Sequence, residues 1–210
     1  MMTKLPAAPF LYPILDAAFG RDLADDARQV IRAGAEILQI RAKNTGKAIL
    51  FDLLQELTAM AAQHTRIVIN DYVDLAIVSN VDGVHLGQTD FPVKDARALL
   101  GDKLIGISTH NAAEFAAAAC LPVDYIAVGP VFGSFTKPHA GAPLGTRFVS
   151  AIRSNSRLPL VCIGGIRRDN LADLIAAGAD GIALISELYR GTSIYDTVSG
   201  LLEEIQSCKQ

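Results

Sequence analysis

Short runs of Ile, Val and Leu with almost no polar interruption alternate along the chain with longer, Ala-rich runs whose apolar residues recur at helical spacing. Strands buried on both faces read as near-continuous hydrophobic runs, so this alternation predicts βαβ units around a parallel sheet. Eight strand candidates stand out: Leu11–Leu15, Ile37–Arg41, Ile67–Asn70, Gly83–Leu86, Leu104–Ser108, Tyr125–Val128, Leu160–Ile163 and Gly181–Ile185. The helix candidates between them have recognisable starts and stops. Asp22 precedes a periodic run that ends at Gly34, Asn111 precedes an Ala-rich run, and Asn170 precedes one that ends at Gly178. The tripeptide Ala33-Gly34-Ala35 ahead of the second strand recurs as Ala177-Gly178-Ala179 ahead of the eighth, so in both places a helix stops at glycine and the chain turns directly into a strand. Eight such units in 210 residues predict an α/β fold, a (β/α)8 TIM barrel, compact beside the usual length of about 250. A doubly wound open sheet competes, but no GxGxxG follows the first strand.

Half of the residues are hydrophobic, enough for one large core, and no linker or low-complexity stretch divides the chain, so residues 1–210 are read as a single domain. The formal net charge of -3, with charges spread along the chain, gives no basic field for nucleic acid. Cys120, Cys162 and Cys208 form no CxxC pair and read as reduced thiols. The Pro-interrupted apolar stretch from Leu5 to Leu15 is too short to span a membrane and lacks a cleavage site, which leaves a cytoplasmic protein as the expectation. A homo-oligomer stays open.

Barrel enzymes carry their chemistry at the C-terminal strand ends, where loops from many strands surround one pocket. Strand two ends in Gln39-Ile40-Arg41-Ala42-Lys43, whose period of two turns Gln39, Arg41 and Lys43 to one side. Such charges must meet an anion or a carboxylate, or reach solvent at the rim. Asp71 follows strand three and Asp90 lies just beyond strand four. Neighbouring strand ends are close enough for two carboxylates to share one hard cation, Mg²⁺, with phosphate oxygens and waters; the competing reading makes each a helix cap. Ser108 ends strand five with His110 beyond it, and no acid stands at a spacing that would complete a Ser-His-acid triad. Ser108 is read as a hydrogen-bond donor to substrate. After strand six, VGPVFGSFTKP offers Ser134, Thr136, Lys137 and backbone amides freed by Gly129 and Gly133, a phosphate-binding loop in composition. Strands seven and eight end in Gly164-Gly165 and Ile185-Ser186, where barrels form a phosphate cup. Two anion sites result, one of Arg41, Lys43, Lys137 and a metal, the other of Ser134, Thr136, Gly165 and Ser186.

QIRAK, INDYVDLA, DGVHLGQTD, GISTHN, VGPVFGSFTKP, IGGI and AGADGIALIS, in this order, resemble the blocks of the thiamine phosphate synthase family. The resemblance implies a transferase that joins hydroxymethylpyrimidine diphosphate to hydroxyethylthiazole phosphate, releasing pyrophosphate through a dissociative pyrimidine-cation step. It implies that Gln39, Arg41, Lys43, Asn70 and Lys137 hold the pyrimidine diphosphate, that Asp71 and Asp90 bind Mg²⁺, and that Ser108 contacts the same substrate near the reacting carbon. Ser134, Thr136, Gly165 and the Ile185-Ser186 backbone and hydroxyl would hold the thiazole phosphate. Ser108 and Lys137 are the residues it assigns to catalysis. Tyr72 departs from the pattern, standing where a charged residue is frequent, and Ser134 stands where Thr is common. The rival readings are a thiazole tautomerase on the same barrel, which would want an acid/base such as His110, and a non-catalytic phosphate-ligand sensor.

Overall fold

The computed structural model describes residues 4–61, 64–133 and 142–208. Its eight strands are β1 (Phe10–Asp16), β2 (Ile37–Arg41), β3 (Arg66–Asn70), β4 (Gly83–Leu86), β5 (Leu104–Thr109), β6 (Tyr125–Val128), β7 (Leu160–Ile163) and β8 (Gly181–Leu184). The helices that follow them in turn are α1 (Leu23–Arg32), α2 (Lys47–Ala61), α3 (Val73–Val78), α4 (Val93–Leu100), α5 (Ala112–Ala118), α6 (Gly145–Arg153), α7 (Arg168–Ala176) and α8 (Ile194–Ser207). All neighbouring strands pair in parallel, and β1 closes onto β8 with Phe10 opposite Gly181. This closure excludes the open sheet and gives the (β/α)8 barrel.

The continuous apolar runs follow from burial on both strand faces. One set of alternate residues, including Leu11, Leu15, Leu38, Ile40, Ile67 and Ile69, packs against the helices. The other set, including Phe10, Tyr12, Ile14, Ile37, Val68, Leu104, Tyr125 and Val161, fills the barrel interior. Large interior rings are accommodated by glycine on the neighbouring strand: a Cβ at Gly106 would lie 2.0 Å from Tyr125 Cζ.

Asp22 caps α1 through Ala24 and Asp25 N–H, and Asn111 caps α5 through Glu114 N–H, as the sequence predicts. The two Ala-Gly-Ala stops are the same Schellman arrangement. Gly34 and Gly178 sit at φ 89° and 96°, and the N–H of Ala35 and Ala179 reaches back to Val30 and Leu174 oxygens. Asn170 is a correction. Arg167 occupies the N-cap of α7, and Asn170, inside the first turn, accepts from Arg167 N–H and donates to Gly165 O. Strand β8 ends one residue early, because Ile185 already turns into a short 3-10 helix, Ser186–Tyr189. Among the described residues no helix is long and apolar enough to cross a membrane.

Candidate active site

The strand register carries one row of polar residues around the C-terminal mouth. Asp16 stands opposite Arg41 across β1 and β2, and Asn70 stands opposite His85 across β3 and β4. Arg41 is not left to face an anion alone: its guanidinium bonds Asp16, whose other oxygen accepts from Ala18 N–H. That fixes the guanidinium at the rim. Lys43, two residues on, reaches Asp71 Oδ2 at 3.0 Å. Gln39 lies a layer deeper, 2% exposed, and donates to Tyr12 Oη. Tyr72, the departure from the family pattern, donates its hydroxyl to Lys43 O and so steadies the segment carrying that lysine.

Asp71 and Asp90 are not helix caps. The residues preceding α3 and α4 are Tyr72 and Pro92, and neither caps through its side chain. Asp90 instead folds back to accept from Gly87 N–H at 2.7 Å. Asp71 sits at φ 68°, in the left-handed region that a non-glycine residue seldom adopts, with its N–H on His85 O. Burial raises its pKa, the Lys43 ammonium opposes that rise, and the neighbouring Asp90 carboxylate adds to it. Two carboxylates pressed together in this way favour a shared cation, and with one or two carboxylates Mg²⁺ completes its shell from phosphate and water. Among the described residues no cluster of three or more His, Cys, Asp or Glu offers an all-protein metal cage.

Ser108 is held at two points: its Oγ lies 2.8 Å from His85 Nε2, and its carbonyl accepts from Gln88 Nε2 at 2.6 Å. His110 is engaged elsewhere, with its N–H and Nδ1 both on Glu114 Oε2 at the start of α5.

The opposite side of the mouth is built by β6 and β7. Val131 and Phe132 donate to Ile163 and Gly164 oxygens, while Leu144 and Gly145 return to Pro130 and Val131 oxygens. Both stems of the β6–α6 loop are therefore pinned beside the glycines after β7. Gly165, at φ 65°, could carry no side chain, since a Cβ would lie 2.4 Å from Gly133 O. One expectation fails here. The Gly129 amide is not free for a ligand, because it donates to Thr109 O, and Gly129 serves close packing against Ile163. Ile185 and Ser186 follow β8, whose Ala183 pairs in register with Ile163 of β7. Ser134, Thr136 and Lys137 lie outside the described residues.

Sequence reasoning missed Asp16, Gln88 and the buried pair Tyr12 and Tyr125, and it read His85 equally as a satisfied core histidine and as a site residue, where the structure has it buried and bonded to Tyr125 and Ser108. Asp16 had a visible signal, being a carboxylate two residues beyond Ile14 at the end of the first strand, on the face that the register shows to meet Arg41.

Comparison with known proteins matches residues 11–188 to the thiamine monophosphate synthase family. A thiamine-phosphate synthase of Chloroflexus aurantiacus is 41% identical over 181 residues, covering 84% of this chain and 83% of its own. One of Shouchella clausii is 34% identical over 207 residues, covering 96% and 99%. The structure of a thiamine phosphate pyrophosphorylase from Pyrococcus furiosus superimposes with a TM-score of 0.87 at 26% identity, over 96% of this chain and 98% of that one. These matches run along nearly the whole sequence, and the chain belongs to the thiamine monophosphate synthase family.

Proposed function

We propose that the whole chain, residues 1–210, is one cytoplasmic catalytic domain with thiamine phosphate synthase activity, a transferase joining hydroxymethylpyrimidine diphosphate to hydroxyethylthiazole phosphate with loss of pyrophosphate. The observation that carries this reading within the family is the juxtaposition of Arg41 and Lys43 with the crowded Asp71–Asp90 carboxylates at one barrel mouth. A reaction that only moved a proton would have no use for such a set. His110, the acid/base that a tautomerase would want, is occupied by Glu114.

In this reading Gln39, Arg41, Lys43, Asn70 and Lys137 hold the pyrimidine diphosphate, Gln39 from the deeper layer. Asp16 offsets one of these positive charges and aims the guanidinium. Asp71 and Asp90 hold Mg²⁺, which when bound neutralises charge on the departing pyrophosphate. The electron-rich aminopyrimidine expels pyrophosphate to leave a pyrimidine methyl cation, so the chain needs no nucleophile and no general base, consistent with a site lacking a triad. Its work is to stabilise the leaving anion and to orient the partner. Ser108 donates to the pyrimidine substrate, and Ser134, Thr136, Gly165, Ile185 and Ser186 seat the thiazole phosphate so that the ring nitrogen faces the cation.

The test is thiamine phosphate formation by the purified protein from the two phosphorylated substrates, with Mg²⁺ and with EDTA. Product that EDTA abolishes is expected; no product in either condition would overturn the activity, and product undiminished by EDTA would overturn the metal assignment.

A further inference from the structure

A hydrogen-bonded chain crosses the barrel interior to Ser108. Gln39 Nε2 donates to Tyr12 Oη at 3.2 Å, Tyr12 Oη lies 2.8 Å from Tyr125 Oη, Tyr125 Oη lies 3.0 Å from His85 Nδ1, and His85 Nε2 lies 2.8 Å from Ser108 Oγ. Five strands supply its members, and the four beneath Ser108 are buried, none more than 7% exposed. Packing also fixes the rings: Tyr12 meets Tyr125 edge-on, and His85 stacks on Tyr125. A polar chain in such an interior is stable only where every donor finds an acceptor.

That condition gives the chain a direction. Burial pushes the Tyr12 pKa up to about 12 and that of Tyr125 well above its ordinary value, so each phenol keeps its single proton near neutral pH. The Gln39 amide nitrogen can only donate, so Tyr12 accepts from it and gives its own proton to Tyr125. Tyr125, having accepted, gives its proton to His85 Nδ1. A ring nitrogen that accepts carries no proton, so the neutral imidazole has its N–H at Nε2 and donates to Ser108 Oγ. With its oxygen already accepting from below, the Ser108 hydroxyl directs its own proton toward the mouth. Run the other way, Tyr12 would accept from both Gln39 and Tyr125, and its proton would have no acceptor among the described residues.

We propose that Tyr12, Tyr125 and His85 are positioning residues that fix the His85 tautomer and thereby make Ser108 an obligate hydrogen-bond donor to the pyrimidine substrate. No proton is transferred along the chain and no bond breaks in it. Its effect is preorganisation, removing the alternative in which Ser108 spends its proton on His85 and presents only lone pairs to the ligand. The proposal rests on the reading of Ser108 as a substrate contact.

Two measurements test it, the first independent of activity. Long-range ¹H–¹⁵N correlation spectra of the full chain labelled at histidine, with the His85 signals assigned by their loss in His85→Gln, should show the Nε2–H tautomer near neutral pH. An Nδ1–H tautomer, which requires the Gln39 amide to be turned round, or a mixture of the two, overturns the proposal whatever the enzyme makes. The second is kinetic. Tyr125→Phe keeps the ring and removes the donor to Nδ1, so kcat should fall about tenfold, at the lower edge of what loss of a supporting partner costs, with KM for both substrates nearly unchanged. The same substitution on a Ser108→Ala background should cost nothing further. A loss of equal size on both backgrounds, or one confined to KM, counts against a role through Ser108. Should Tyr125→Phe fold poorly, the double variant Tyr12→Phe/Tyr125→Phe removes both hydroxyls together and carries the same expectations. His85→Gln, which restores an N–H donor near the Nε2 position, should recover activity that His85→Ala lacks; equal activities would overturn the donor role. If Ser108→Ala is fully active, the reading of Ser108 falls, while the tautomer result still stands as measured.

Discussion

At the N-terminal end of the barrel, Asp82, Asp124 and Asp180 stand immediately before β4, β6 and β8. Each closes a two-bond clasp with one residue of the preceding strand: Ile67, Ile105 and Leu160 donate their N–H to the carboxylate and accept the aspartate's own N–H at their carbonyl. Arg97 and Arg153 complete the shells of Asp124 and Asp180. At the other end, Asp71 is set at a left-handed φ against a second carboxylate, with one exposed lysine for relief. The same residue type is therefore held by hydrogen-bond donors at one end and crowded by a second carboxylate at the other. Satisfied groups at the bottom hold strands in register. The crowded pair at the top, with Lys43 against Asp71, is the set to which the proposed function assigns Mg²⁺.

The largest effect is expected of Asp71→Asn. Activity should fall by about a hundredfold or more, as expected when a metal-binding carboxylate is lost, while the fold survives. The sign of the stability change follows from linkage. The folded-state pKa of Asp71 lies above its ordinary value of 3.8, chiefly through burial, so its favourable contribution exists at low pH and is lost as pH rises through the folded value. Near neutral pH the ionised group opposes folding, and the neutral Asn should match or exceed the parent's melting temperature, an advantage that disappears below the carboxylate range. Mg²⁺ with pyrophosphate should raise the melting temperature of the parent and leave that of the variant unmoved. A variant clearly less stable than the parent at neutral pH would place Asp71 among the structural aspartates.

Asp180→Ala should show the reverse. It strands the Leu160 N–H and removes the Arg153 ion pair, which predicts a loss of about 2 kcal/mol, the typical cost of leaving a buried donor unsatisfied, read from a urea titration. The kcat of the folded fraction should be unchanged. A fall in kcat with full stability would mean that the two ends do not divide the work.

Asp16→Asn lies between these extremes, because Asp16 does both jobs. Asn retains an oxygen for the Ala18 N–H but loses the charge that holds Arg41. The expected result is about a tenfold rise in KM for the pyrimidine diphosphate, with kcat and melting temperature little altered. A drop in stability without a change in KM would assign the pair to the fold.

The barrel was legible because its signal is local. Each strand is a short run dominated by apolar residues, and each Ala-Gly-Ala stop repeats one backbone device. Errors fell where a local signal had two meanings: Asn170 suits an N-cap or the third position of a capping box, and Ile185 is apolar yet begins a turn. The charged residues of the mouth were legible as strand-end residues, but their partners were not. Tyr12 and Tyr125 are separated by 113 positions and meet only once the register and the glycine at 106 place them across the interior. The Gly129 amide shows the same limit, since its partner Thr109 is defined by strand pairing and by nothing adjacent in sequence.

The smallest effect belongs to His110, a residue at the functional end whose bonds to Glu114 are of the structural kind. Its N–H and Nδ1 meet Glu114, and Asn111 bonds the same carboxylate and the Glu114 N–H. Burial alone would raise the Glu114 pKa, but the hydrogen bonds from His110 and Asn111 outweigh it and hold the pKa below the ordinary value. A depressed folded pKa contributes stability above the ordinary carboxylate value and loses it as pH falls. His110→Ala removes the imidazole and keeps the backbone N–H, so Glu114 retains most of its partners. The expected cost is under about 0.5 kcal/mol, as for an ordinary surface substitution, narrowing below the carboxylate range, with kcat unchanged within about twofold. A tenfold loss of kcat would extend the reacting region beyond Ser108 and return to the tautomerase reading the acid/base it lacks, so this least disruptive substitution bears directly on which reaction the mouth was built for.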